Sequence, residues 1–243
     1  MRVLIAALVL CCGFSMNDAS AAKIGKGRPS PSPSPSPTSS STFSDNFSSY
    51  AKGVCYSDGQ SFGPWLSQYG GYGCNSVVTV SSGSALSEQP QASTSAGETH
   101  ASLALGWNVN GNFTYNVSVQ TVKQLRTGSA PNPWEVAWVL WHYTDDNHFY
   151  YFIPKPNGWE LGKEDPAYPG AQRFLADASS PTFPVGQQYQ VQITQSANTI
   201  TVWVNGVKIV SYTDTQSPYS SGRVGLYNED SHVLFQNVKL NQN

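Results

Sequence analysis

The chain has 243 residues, of which 12% are charged and 12% aromatic, and its formal net charge is −2. A charge content about half the usual share supplies no basic patch for phosphates, which argues against a nucleic-acid partner. A surface poor in charge and rich in Asn, Gln, Ser and Thr is instead common in secreted, glycan-facing domains.

The N-terminus places Arg2 before an apolar run over 3–14 and then the small residues Ala19, Ser20 and Ala21, the order of parts in a secretory signal peptide. Residues 1–22 are read as that leader, which puts the mature protein outside the cytoplasm, in an extracellular or periplasmic space. A lipidated Cys11 or Cys12 is the alternative, disfavoured because the residue before either is not small. The apolar run is shorter than the roughly 20 residues a bilayer span needs, and no later run is longer. Next, 23–42 reads KIGKGRPSPSPSPSPTSSST, which has too few apolar residues to form a core and is expected to be a semi-rigid linker. The remainder, 43–243, suits one large β-domain, expected to be monomeric. Without the leader only Cys55 and Cys74 remain, and an even pair in an oxidising compartment predicts one disulfide. Closing a loop of about 20 residues would stabilise the fold by roughly 3 kcal/mol.

Helix-period patterns are nearly absent after the leader, whereas alternation with β-branched and aromatic residues recurs. It predicts strands over 77–80, 99–105, 113–123, 135–143, 149–153, 159–163, 173–176, 189–195, 199–205, 207–212, 223–228 and 233–240. The stretch 134–152, WEVAWVLWHYTDDNHFYYF, reads as a hairpin around Asp145, Asp146 and Asn147, and 157–163 then brings Trp159, Glu160 and Lys163 close together. The clearest hairpin is 199–212, where Asn205-Gly206 supplies the positive φ angles of a type I′ turn. A dozen short strands without a repeat period fit an all-β, two-sheet antiparallel jelly-roll sandwich better than a propeller.

The order WHYTDDNHFYYF, a pair of short strands, ITVWVNGVKIVSY, SGRVGLYNED and a terminal VLFQNVKL resembles the concanavalin A-like lectin/glucanase superfamily. More narrowly it is similar to the bacterial laminin-G-like and 3-keto-disaccharide-hydrolase-like branch, over roughly 43–240. The resemblance implies a jelly roll. It also implies that Asp45 could hold a structural calcium with oxygens of the last strand, but the usual acid of F-D-N-V is Gln236 here. No cofactor is otherwise required.

Several residues carry candidate chemistry. Glu135 and Glu160 are the carboxylates that could form an acid–base pair around a glycosidic bond. The resemblance implies a retaining pair on one strand in an E-x-D-x-x-E run, which the chain lacks, so an inverting pair on two strands is the form left. His142, or a tyrosine such as Tyr150, could instead remove a proton beside a uronate carboxylate, with Arg126, Lys163, Arg173 and Asn147 available to neutralise it. Trp134, Trp138, Trp141, Trp159 and Trp203 exceed what a core of this size needs, and sugar C–H faces stack on such rings. Trp138 and Trp141 differ in parity, so one is expected between the sheets and the other on the outer, concave face. Tyr143 and His148 complete the expected binding set, rimmed by the Pro-rich loops 126–133 and 163–170. Asn46, Asn112 and Asn116 match the N-glycosylation pattern. The leading reading is a secreted polysaccharide-binding protein that also cleaves its ligand, as hydrolase or lyase. The alternatives are a non-catalytic lectin-like or surface-adhesion module and a structural envelope protein.

Overall fold

The computed structural model describes residues 41–242. The expected leader (1–22) and nearly all of the expected linker lie outside the described residues, although Ser41 and Thr42 already belong to the first strand. The strands, in chain order, are β1 (Ser41–Asp45), β2 (Cys55–Tyr56), β3 (Ser61–Phe62), β4 (Trp65–Tyr69), β5 (Cys74–Val80), β6 (Gly83–Gln89), β7 (Ala101–Asn110), β8 (Phe113–Gln124), β9 (Ala137–Asp145), β10 (His148–Lys155), β11 (Gly158–Glu164), β12 (Gln172–Ala178), β13 (Gln188–Ser196), β14 (Thr199–Val204), β15 (Val207–Thr213), β16 (Ser221–Glu229) and β17 (Ser231–Gln242).

They form the two-sheet antiparallel sandwich that the alternation predicts. A nine-stranded sheet runs β15-β14-β13-β8-β17-β6-β5-β2, with β1 also on β17, and an eight-stranded sheet runs β12-β11-β10-β9-β16-β7-β4-β3. In the nine-stranded sheet the alternation is clean: Tyr189, Val191 and Ile193 of β13 point inward while Gln188 and Gln190 face water. In the eight-stranded sheet, β9, β10 and β11 are buried on both faces. Their odd and even positions feed different clusters. Val139, Trp141, Tyr150, Phe152 and Trp159 join the inter-sheet core, where Trp65 of β4 also lies. Leu103, Trp138, Leu140, Tyr143, Phe149, Tyr151 and Ile153 form a second cluster on the outer face. The expected disulfide joins Cys55 of β2 to Cys74 of β5, with Cα atoms 5.4 Å apart.

The inter-sheet space also holds a buried acid. Glu88 of β6 is fully buried; Asn228 of β16 donates to its Oε2 at 3.1 Å, and Oε1 has no partner. Burial pushes its carboxyl well above the ordinary glutamate range. A folded state that keeps a proton the unfolded chain releases loses stability as pH rises above the unfolded glutamate value. Glu88→Gln, which keeps the shape and removes the titration, should therefore melt close to wild type near pH 4 and above it at pH 8, by about 2–4 °C per kcal/mol regained. Calorimetry across that range checks this; parallel melting curves at all pH values would refute it.

Candidate functional site

The residues singled out from sequence do not converge; the candidate catalytic ones fall in three places. Arg126 and Glu135 are buried against each other, with Arg126 Nε 2.6 Å from Glu135 Oε1 and Nη2 2.8 Å from Asp230 Oδ2. The remaining guanidinium donors bond the carbonyls of Ser95 and Glu98, so this is a structural ion cluster and not a site facing a substrate. Lys163 and Tyr150 form a second group under the loop 214–219. Lys163 Nζ donates to Asp214 Oδ2 at 2.9 Å and Tyr150 Oη to the same oxygen at 2.6 Å, and neither side chain reaches solvent. His142 packs edge-on to Phe113 and is fully buried, with neither ring nitrogen hydrogen-bonded. Burial lowers its imidazole to about 4. It is neutral at ordinary pH but closed off from any proton donor in solvent.

The third place is the outer face of the eight-stranded sheet, where Glu160 lies. Trp141 and Trp159, expected as stacking platforms, are inter-sheet core: their indole N–H groups donate to Gln195 Oε1 at 2.9 Å and the Ser180 carbonyl at 3.0 Å. The parity argument does place Trp138 on the outer face, yet its neighbours leave it only 4% exposed. Trp203 is half-buried on the side of β14 opposite the core residues Val202 and Val204. Trp134 is exposed, and its carbonyl accepts from Trp138 Nε1 at 2.7 Å. Arg173 lies over the Tyr168 ring at 5.8 Å, and His148 Nδ1 lies 2.8 Å from Asp145. Asp45 does not fit calcium. Its Oδ1 accepts from Phe47 N–H, and its Oδ2 from Tyr50 Oη and Trp65 Nε1, so protein donors already occupy the directions a cation needs. Among the described residues no cluster of three His, Cys, Asp or Glu could hold a metal ion.

On the outer face the strand register lines side chains into rows. One row runs Leu66, Leu105, Gly225, Leu140, Tyr151, Gly162 and Phe174 from β4 to β12. Beside it run Tyr69, Leu103, Tyr227 and Trp138, and on the far strands Ile153, Glu160 and Asp177. Glycine at 162 is required, because a Cβ there would lie 2.3 Å from Tyr151 Oη; its absence lets that phenol lean over β11. The rings of Tyr227, Trp138 and Tyr151 touch in series, at 5.1 and 4.9 Å. Phe174, 57% exposed, ends its row at the sheet edge.

Acids ring this aromatic belt. Glu160 accepts from Tyr151 Oη at 2.8 Å and from Lys155 Nζ at 2.7 Å. Tyr227 Oη donates to Glu229 at 2.7 Å. At the β9–β10 turn, Asp146 Oδ1 accepts from Tyr143 at 2.8 Å and from Tyr69 at 3.3 Å, which bridges the turn to β4. Burial, reinforced by these carboxylates, pushes the phenols of Tyr69, Tyr151 and Tyr227 above the ordinary tyrosine range. They act as neutral hydrogen-bond donors, not bases. Sequence reasoning missed Tyr69, Tyr151, Tyr227, Glu229 and Lys155 as members of one surface. Only the alternation Gly225, Tyr227, Glu229 could have marked part of it.

Residues 56–241 match the family of 3-keto-alpha-glucoside-1,2-lyase-like domains. The chain belongs to this family. The resemblance carried by the 141–240 motifs is thereby borne out, and the lyase-like domain covers β2 through nearly all of β17. Among solved structures it is similar to the carbohydrate-binding module CBM66 from Bacillus subtilis, at 15% identity and a TM-score of 0.53 over 72% of this chain and 94% of that one. It is also similar to a protein of unknown function with a galectin-like fold from Bacillus subtilis, at 10% identity and a TM-score of 0.51 over 79% and 98%. The exoplasmic/lumenal domain of VIP36, in a Ca2+/Man3GlcNAc-bound form, aligns at 12% identity and a TM-score of 0.50 over 78% and 88%. At these identities the likeness shows the fold alone. No curated protein matches the sequence.

Proposed function

We propose that the protein is carbohydrate-active outside the cytoplasm and binds a glucoside on the outer face of the eight-stranded sheet. The observation that carries this is the half-buried Tyr227 ring, backed by the buried rings of Trp138 and Tyr151, with the exposed Phe174 at the sheet edge and the acids Glu160, Glu229 and Asp146 around them. Rings offer flat apolar contact to sugar C–H faces, and carboxylates accept from sugar hydroxyls. The family description points to glucosides. The Cys55–Cys74 disulfide supports an oxidising compartment, and among the described residues no helix is long and apolar enough to cross a membrane.

A second reading, bond cleavage, is favoured by Glu160. It is a buried carboxylate on this face whose charge is compensated by Lys155 and which also holds the neutral phenol of Tyr151. In a 3-keto-glucoside the C3 carbonyl acidifies the proton on C2. Removing that proton forms a C1–C2 double bond as the C1–O bond breaks, and the departing oxygen takes up a proton. Glu160 is the group assigned to accept the proton from C2, with Tyr151 as donor toward developing oxygen charge.

The test is a turnover screen against glucans, uronate polysaccharides and 3-keto-glucosides, reading new reducing ends and the ultraviolet absorbance of unsaturated products, paired with calorimetric titration. Glu160→Gln should lower turnover by about 10²–10⁴-fold while leaving saccharide affinity within about twofold. Affinity without turnover in wild type would leave a binding module, and absence of both would remove the proposal.

A further inference from the structure

A second surface of the molecule is built differently. The loop 70–73, which connects β4 in one sheet to β5 in the other, holds Tyr72 with its ring 87% exposed, more than any other large hydrophobic side chain among the described residues. Its backbone is in the left-handed region, φ 61°, which a side chain of this size rarely adopts. Glycines on both sides make that conformation rigid. A Cβ on Gly71 would lie 2.4 Å from the Ala101 carbonyl oxygen, and one on Gly73 would lie 2.0 Å from that of Gln89. Gly73 N–H donates to the Gly70 carbonyl at 3.0 Å, Gln91 N–H donates to the Gly71 carbonyl at 2.9 Å, and the neighbouring Cys74 is fixed by the disulfide. The ring meets His100 edge-on at 5.4 Å. The backbone is thus clamped while the aromatic face is left to water, the reverse of how a packing residue is used.

Tyr72 borders an open cleft of about 480 Å3 whose other walls include Cys74, Ser76, Ser87, Gln89 and Gln91. That size lies within the usual range for small-ligand sites, roughly 300–1,000 Å3. Every side chain lining it is neutral, and its hydroxyls and amides both donate and accept. Ser76 and Ser87 are directly paired across β5 and β6, and so are Cys74 and Gln89, so these groups stand at fixed spacing on a sheet and not on a loose loop. Ser87 Oγ lies 3.0 Å from His232 Nε2, which fixes the hydroxyl further.

We infer that this cleft is a second saccharide site, separate from the outer face, which takes one uncharged sugar unit stacked on Tyr72 and hydrogen-bonded by Ser76, Gln89 and Gln91. A fixed ring costs little ordering entropy on binding. A lining without Lys or Arg offers a uronate carboxylate hydrogen bonds but no compensating charge. The site is therefore selective for neutral sugars and has no group to break a bond.

The experiment labels the protein with 3-fluorotyrosine and assigns the Tyr72 fluorine signal as the one lost in Tyr72→Phe. It then titrates neutral gluco-, fructo-, xylo- and galacto-oligosaccharides beside oligogalacturonate. A saturable shift of the Tyr72 signal with a neutral sugar, and none with the uronate, is expected. Tyr72→Ala should then weaken binding to the matching polysaccharide about tenfold at unchanged melting temperature, and Tyr72→Trp should restore it. No shift with any neutral sugar, an equal shift with the uronate, or full binding by Tyr72→Ala would each overturn the inference. Tyr227 carries its own fluorine and reports the outer face, so failure at one site is distinguishable from failure at the other.

Discussion

Arg126→Met should destabilise the domain by about 3–5 kcal/mol, a loss readable in the denaturation midpoint. The guanidinium holds Glu135 at 2.6 Å and Asp230 at 2.8 Å, and all three side chains are essentially sealed from water. Removing it strands two carboxylates in a low-dielectric setting, which costs more than the ion pairs themselves contribute. The same arginine anchors the carbonyls of Ser95 and Glu98, so the segments around 95–98, 126, 135 and 230 should loosen together and exchange amide hydrogens faster. Arg126→Lys should recover little, because three donors on one nitrogen cannot reproduce a fork with four acceptors. The triple variant Arg126→Met, Glu135→Gln, Asp230→Asn should recover much of the loss. If it is no better than the single variant, the penalty does not come from stranded charge.

Lys163→Met should cost a similar amount, about 3–5 kcal/mol, with a pH signature set by Asp214. Lys163 Nζ donates to Asp214, to the Gln216 carbonyl at 2.6 Å and to the Ser217 carbonyl at 3.1 Å. Burial alone would raise the Asp214 carboxyl. Hydrogen bonds from Tyr150, Gln216 N–H and Lys163, with the lysine charge, outweigh it and hold the group below the ordinary aspartate range. A depressed acid contributes stability that is present above its unfolded pKa and is lost as pH falls through the folded one. The variant lacks the lysine's share, so its deficit against wild type should be greatest near neutrality and narrow on acidification as Asp214 takes up a proton. Denaturant titrations from pH 7 down to pH 3 measure the gap; a constant gap would place the lysine's contribution elsewhere.

Much of the fold could be read from local pattern. The Asn205-Gly206 turn and the alternating β13 and β14 are decided by residues within a few positions of each other. β2 and β3, only two residues each, carry too little pattern to be read. β6 was missed because Glu88, polar and buried, interrupts an apolar face that only the opposite sheet explains. β7 was expected to end at 105, yet it runs to Asn110 through Gly106, whose missing side chain leaves room for the Trp65 ring.

The site was harder to read, for a single physical reason. Counting by twos along β9 puts Tyr143 on the same side as Trp141, but the irregularity near His142, at φ 53°, returns Tyr143 to the outer face with Leu140. That break is accommodated by β16, where Gly222 has no side chain to strike the His142 backbone. It is therefore encoded some 80 residues away. The same holds for the acids: Glu135 looked catalytic beside Trp134, and only Asp230 and Arg126, brought together by the completed fold, reveal it as structural.

The pairing of β1 with β17 bears on how the domain carries load. Ser41 lies opposite Gln242 and Asp45 opposite Val238, in antiparallel sense. Tension applied between residues 41 and 242 would therefore open the pair from that end like a zipper, meeting the ladder one rung at a time. Tension applied between residues 242 and 124, at opposite ends of the long central ladder of β17 against β8, would instead load its rungs together. The same sheet is therefore expected to yield at low force across the 41–242 corner and to resist strongly along β17.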